Sequence, residues 1–118
     1  MEQITFHVVF ALKANSLDSF KAVAERFKNA ASKEPGTIGY NFYLNAEKTA
    51  FIFIETYANS EAVITHQKDT SAILADAKKL VNSITLQVLG NPSEALKKLL
   101  GNSPTPSYYS WVDGIKNK

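Results

Sequence analysis

The sequence predicts an α+β fold of the ferredoxin-like βαββαβ plan, a four-stranded antiparallel sheet with its main helices on one face. Three observations predict it. Hydrophobic periodicity switches between that of strands and that of helices along the chain. Breaker residues stand where the switches occur. The 118-residue length and 45% hydrophobic content suit one domain with a proper core.

Residues 5–12 are rich in Phe and Val and lead to Lys13-Ala14-Asn15-Ser16, where Asn and Ser favour turns and helix N-caps, so this is the first strand. Leu17, Phe20, Val23, Ala24, Phe27, Ala30 and Ala31 then recur at three- and four-residue spacing with charged residues between them, the pattern of an amphipathic helix. That helix must stop by Glu34, because Pro35 restricts the residue before it and Gly36 permits a turn. In residues 37–44, Ile38, Tyr40, Phe42 and Leu44 alternate with Gly39, Asn41 and Tyr43, as in a pleated strand. The polar stretch Asn45-Ala46-Glu47-Lys48 forms a hairpin loop into a third strand, 50–57.

Asn59 and Ser60 offer N-caps for a helix carrying Ala62, Val63 and His66, with a break near Lys68. A further helical stretch follows Asp69 and Thr70, with Ile73, Leu74, Ala77, Leu80 and Val81 on its apolar side. Residues 83–89 are the fourth strand, ended by Gly90-Asn91-Pro92, and 93–100 a short helix. The tail from Gly101 carries Pro104, Pro106, Tyr108, Tyr109 and Trp111, and this aromatic content predicts that it docks on the domain or on its partner.

A partner is expected because the strands are apolar on both faces. Strand one offers Phe6, Val8, Phe10 and Leu12 on one side and His7, Val9 and Ala11 on the other, while strand three sets Phe51 and Phe53 against Ile52 and Ile54. Helices on one face leave large side chains on the other, each forgoing roughly 1.5–3 kcal/mol of burial. A second copy of the chain would cover that face.

Thirteen basic and eleven acidic residues leave a net charge of +2 with no dense basic run, which is no footprint for nucleic acid. The chain lacks cysteine, so thiolate metal sites and cysteine nucleophiles are excluded. His7 and His66 do not make a metal cluster, and no phosphate-cradling glycine loop or nucleophile elbow is present. The apolar N-terminal stretch has no basic region before it and nothing is long enough for a membrane span, so no membrane partner and a cytoplasmic location are expected.

Between Phe6 and Gly90 the chain resembles the antibiotic biosynthesis monooxygenase (ABM) domain of the dimeric α+β barrel superfamily. The resemblance rests on Glu34-Pro35-Gly36-Thr37-Ile38 opening strand two, on Tyr40 within it, and on Phe53-Ile54-Glu55-Thr56-Tyr57 before the Ser60-Glu61-Ala62 helix that ends with His66-Gln67. It implies an ABM-like domain over 1–90, with 91–118 as a C-terminal helix and docking tail of the same domain. It also implies a homodimer with apolar pockets, the second sheet face becoming a pocket wall. The implied activity is cofactor-independent oxygenation of a small aromatic, quinol-like substrate, with no flavin, haem or metal. The same fold also serves non-enzymatic small-ligand-binding or stress-associated homodimers, and that alternative stands. Tyr57 stands where haem-degrading relatives carry a tryptophan, and their helix histidine falls near Asp76, which disfavours haem degradation.

Three residues are expected to be catalytic. An imidazole titrates near neutrality, so His66 suits a general base, the alternative being a partly exposed helix-end histidine. Glu55 interrupts an apolar strand, and a buried carboxyl must be paired or protonated, with Arg26 or a lysine as a structural partner in the alternative reading. Tyr57 shares a face with Glu55 and could stack on a ring or hydrogen-bond to it, or simply pack at the strand end. His7 and Asn41, polar in strand interiors, are expected substrate-binding residues, each with a structural hydrogen bond as the alternative.

Overall fold

The computed structural model describes residues 2–102 and 104–115. Its elements run β1 (Ile4–Leu12), α1 (Leu17–Ser32), β2 (Thr37–Leu44), β3 (Ala50–Tyr57), α2 (Ser60–Asp69), α3 (Ser71–Lys78), β4 (Val81–Leu89), α4 (Glu94–Leu100) and β5 (Ser107–Tyr109). The sheet order is β2-β3-β1-β4-β5, and the first four strands are mutually antiparallel. This is the ferredoxin-like α+β arrangement that the periodicity predicts, with one addition. β5, from the tail, lies parallel to β4 and pairs Val88 with Tyr108 and Leu89 with Tyr109, so the sheet has five strands rather than four. The tail therefore docks on its own chain, and the Gly90 N–H donates to the Tyr109 carbonyl at 2.9 Å to secure it. Among the described residues no helix is long and apolar enough to cross a membrane.

Strict alternation decides which face the helices cover. Ile4, Phe6, Val8, Phe10 and Leu12 of β1 and Phe51, Phe53, Glu55 and Tyr57 of β3 are buried, while the residues between them are half-buried. Phe20, Val23, Ala24 and Phe27 of α1, Val63 of α2 and Ala77 of α3 join the same core. Phe53 is its hub, with ring centroids 4.2 Å from Phe42, 4.7 Å from Phe10 and 5.7 Å from Phe27. Such ring pairs contribute about 0.5–1.5 kcal/mol each beyond area burial, and they make a stiff aromatic floor.

α1 ends as Pro35 dictates, and the Glu34-Pro35-Gly36-Thr37 turn closes with the Thr37 N–H on the Glu34 carbonyl at 3.1 Å. Gly36 is needed there for space, because a Cβ at this position would lie 2.5 Å from the Ala62 Cβ in the first turn of α2. His66 follows Ala62 by four residues and shares its helix face. The close approach of turn to helix therefore carries Glu34 to His66. α2 starts where the Asn59 side chain accepts the Ala62 N–H at 2.9 Å, and it breaks at Thr70, whose hydroxyl donates to the His66 carbonyl at 2.7 Å.

Candidate active site

Between the helix-covered face of the sheet and the helices lies a cavity of about 260 Å³. Its walls are aromatic and aliphatic, with Phe6, Phe27 and Phe53 inside and Leu99, Leu100 and Pro104 toward the mouth. Its inner end carries Tyr40, Glu55, His66 and Thr70. The size sits just below the usual range of roughly 300–1,000 Å³ for small-molecule sites, which suits a ligand of one or two rings. The second sheet face, expected to become a pocket wall, does not line this cavity, because the cavity lies on the side that the helices cover.

The polar groups form two arms. In the first, His66 Nδ1 lies 2.7 Å from Glu34 Oε1, and its Nε2 lies 3.1 Å from the Tyr40 hydroxyl. With the ring proton on Nδ1, the imidazole donates to the Glu34 carboxyl and Nε2 accepts from the Tyr40 hydroxyl. The Thr37 hydroxyl also donates to Glu34 Oε1, at 2.9 Å. Glu34 Oε2 is buried without a hydrogen-bond partner among the described residues. His66 is 2% exposed, so it is no surface helix-end histidine.

In the second arm the Tyr57 hydroxyl donates to Glu55 Oε1. Tyr40 and Glu55 are directly opposed across β2 and β3, which brings the arms together at one spot. Burial raises the Glu55 carboxyl above its ordinary range, and it outweighs the lowering by His66 and by the hydrogen bond from Tyr57. Burial also drives the Tyr40 and Tyr57 hydroxyls far above the ordinary phenol range, with the nearby Glu55 carboxyl adding to it. Both phenols are thus held neutral as donors. The inner end combines a carboxylate-oriented imidazole with a carboxyl that favours its neutral form. An acceptor and a donor of protons face one aromatic-walled space.

The structure brings Glu55, Tyr57 and His66 together but gives them different places. Glu55 and His66 line the cavity, whereas Tyr57 is fully buried behind Glu55 and outside the lining. Arg26, offered as a structural partner for Glu55, instead pairs with Asp76 at 2.8 Å. His7 and Asn41 both stand opposite Ile54, on the open face of the sheet, and neither reaches the cavity. Side-chain alternation forbids it, since each neighbours an inward residue, Phe6 or Phe42 among them. Glu34 and Tyr40 belong to the site although sequence reasoning used them only to place the end of α1 and the alternation of β2 and as family markers. The available signal was a carboxylate at a helix-ending turn, followed three residues later by a hydroxyl residue able to hold it. Among the described residues no group of three or more His, Asp or Glu is arranged to hold a metal ion.

The family model for antibiotic biosynthesis monooxygenase matches residues 4–75. The chain belongs to this family. Its fold is similar to that of MupZ from Pseudomonas fluorescens, with a TM-score of 0.86 at 22% identity over 99% of this chain and 96% of that one. Rv0793 from Mycobacterium tuberculosis is similar at TM-score 0.70 and 18% identity, over 79% of this chain and 98% of that one. SnoaB, a cofactor-independent oxygenase from Streptomyces nogalater, is similar at 0.69 and 11%, over 79% and 96%. Identities this low show the shared fold alone. The MupZ match takes in α4 and β5 as well as the ABM domain, since it spans nearly the whole chain. No curated protein matches the chain.

Proposed function

We propose that this ABM-family chain is a cofactor-independent monooxygenase that oxygenates a small phenolic or quinol-like ring. The observation that carries the reading is the Glu34-oriented His66 imidazole at the inner end of an aromatic-walled cavity, facing the Glu55 carboxyl. When the ring hydroxyl takes the place of the Tyr40 hydroxyl at His66 Nε2, that nitrogen accepts its proton, while Glu34 fixes the tautomer and stabilises the imidazolium that forms. Tyr40, too weak an acid to ionise, supplies a hydrogen bond to the developing oxyanion. The electron-rich anion passes one electron to O2, and the resulting superoxide and ring radical combine to form a C–O bond. The Glu55 carboxyl protonates the peroxide, which loses water as the remaining C–H proton leaves. The phenolic O–H, the ring C–H and O2 thus become a quinone and H2O, with no outside reductant. Tyr57 is a positioning residue for Glu55.

Oxygen uptake with a panel of quinols and naphthols tests the reading. One O2 consumed per product formed is expected with a substrate that fits. Product without oxygen uptake would leave plain acid–base chemistry at the same groups, and binding without turnover would leave a ligand-binding protein.

The same proposal includes a homodimer. Val9, Ile52 and Ile54 are only half-buried on the open sheet face, and Tyr43 beside them is 59% exposed. Light scattering at micromolar concentration should give twice the 13.0 kDa chain mass. A clean monomer would remove this part of the proposal and leave the chemistry standing.

A further inference from the structure

Lys78 at the end of α3 lines the mouth of the cavity, and it also lines two shallower hollows that open from that mouth. One hollow shares Leu74 and Leu99 with the cavity and adds Lys68, while the other shares Ile84 and Pro104. Among the described residues of the three linings, the lysine, arginine and acidic side chains are Lys68, Lys78 and, at the inner end, the carboxyl of Glu55. The rim therefore carries two cations and no carboxylate. The neighbouring basic residues are already engaged, since Arg26 and Lys79 both face Asp76, at 2.8 and 3.7 Å. Among the described residues Lys68 and Lys78 make no ion pair.

We infer that this rim is an anion site, at which Lys78, supported by Lys68, holds a carboxylate carried on the end of the substrate remote from its reacting ring. The inference rests on the proposed reading of the cavity as the substrate site. The cavity separates its chemistry along its length: hydrogen-bonding groups inside, apolar walls through the middle, positive charge at the opening. A ligand that satisfies all three is an amphiphile with a phenolic head, an apolar body and an anionic tail. Apolar walls at the mouth concentrate the field of the lysines on whatever enters, so they also favour capture of such an acid over its neutral counterpart. A neutral substrate would use the inner end and the walls but gain nothing from the rim.

Isothermal titration calorimetry with para-hydroxyphenyl alkanoic acids of graded chain length, each beside its methyl ester, tests the assignment. At the chain length that spans the cavity, the wild-type protein should bind the acid about fivefold more tightly than the ester. Lys78→Gln should bring that ratio close to one, and Lys78→Glu should invert it, the change in acid affinity exceeding any change in ester affinity in both. Raising the salt concentration should erode the acid's advantage and leave the ester alone. A ratio that survives Lys78→Gln overturns the rim site, as does equal binding of acid and ester at every chain length, and both results leave the cavity reading intact. Failure of every acid and ester to bind the wild-type protein overturns the cavity reading and the rim site together. Lys78 also sits in the last turn of α3, where a cation favours the helix dipole. A role confined to that would lower the melting temperature of Lys78→Gln without changing the acid-to-ester ratio, and it too overturns the proposal.

Discussion

His66→Ala should lower kcat/KM with a phenolic substrate by about a hundredfold or more, the usual contribution of a positioned general base. Steady-state oxygen uptake measures it. The loss should fall on kcat more than on KM, because the substrate's grip comes mainly from the aromatic walls, which the substitution leaves in place. Imidazole added to the buffer should restore part of the activity, because removing a buried side chain leaves a hole beside Glu34 that the free base fits. A merely structural histidine would show no such rescue. Glu34→Gln separates orientation from charge. Its amide oxygen can still accept from Nδ1, but it no longer stabilises an imidazolium, so kcat should fall while substrate affinity holds. Full activity in His66→Ala would remove the imidazole from the mechanism and move the search for the base elsewhere in the cavity.

The strands and helices were legible because each carries its own period. β2 alternates residue by residue, β1 and β3 are short apolar runs bounded by turn signals, and α1 keeps its apolar stripe, so local pattern and global fold agree. β4 starts two residues earlier than the pattern suggests, at Val81, and α3 ends at Lys78, because Leu80 and Val81 continue the three- and four-residue spacing from Ala77 and so read as helix, while polar Asn82 interrupts the strand pattern. β5 was hidden for a different reason. It is three residues long, all exposed, and is held by main-chain pairing to β4 that leaves no trace in side-chain polarity.

The choice of cavity face could not be read either, because both faces of β1 and β3 are apolar and only the placement of the helices distinguishes them. Glu55 and His66 stood out as polar residues in apolar settings. Glu34 did not, because a carboxylate beside Pro35 looks like ordinary helix termination. Its role arises from a contact across 32 residues with His66, which depends on the missing side chain of Gly36 against Ala62. Local sequence pattern has no means of reporting such a contact.

Glu55→Gln should make the protein more stable and less active, and the gain in stability should grow with pH. Burial raises the Glu55 carboxyl above its ordinary value of 4.5, so the folded chain holds this proton at pH values where the unfolded chain has released it. Within that window the folded state binds more protons, and stability falls as pH rises. Below pH 4.5 both states are protonated and the penalty is absent. A glutamine at this site keeps the shape, and its oxygen still accepts the Tyr57 hydroxyl, but it never ionises. Relative to wild type, the variant should therefore gain about 1.4 kcal/mol for each pH unit inside the window and level off above it. Any cost of seating the amide adds an offset that does not vary with pH.

Denaturant unfolding across a pH series measures the difference, and oxygen uptake measures the cost in activity, expected at about a hundredfold in kcat from loss of the proton donor. A stability difference that stays constant across the series would mean that Glu55 titrates as an ordinary carboxyl. It would then be ionised at neutral pH and could not protonate a peroxide. The two measurements are coupled by the same cause, since the burial that destabilises the ionised carboxyl is what keeps its proton available for the reaction.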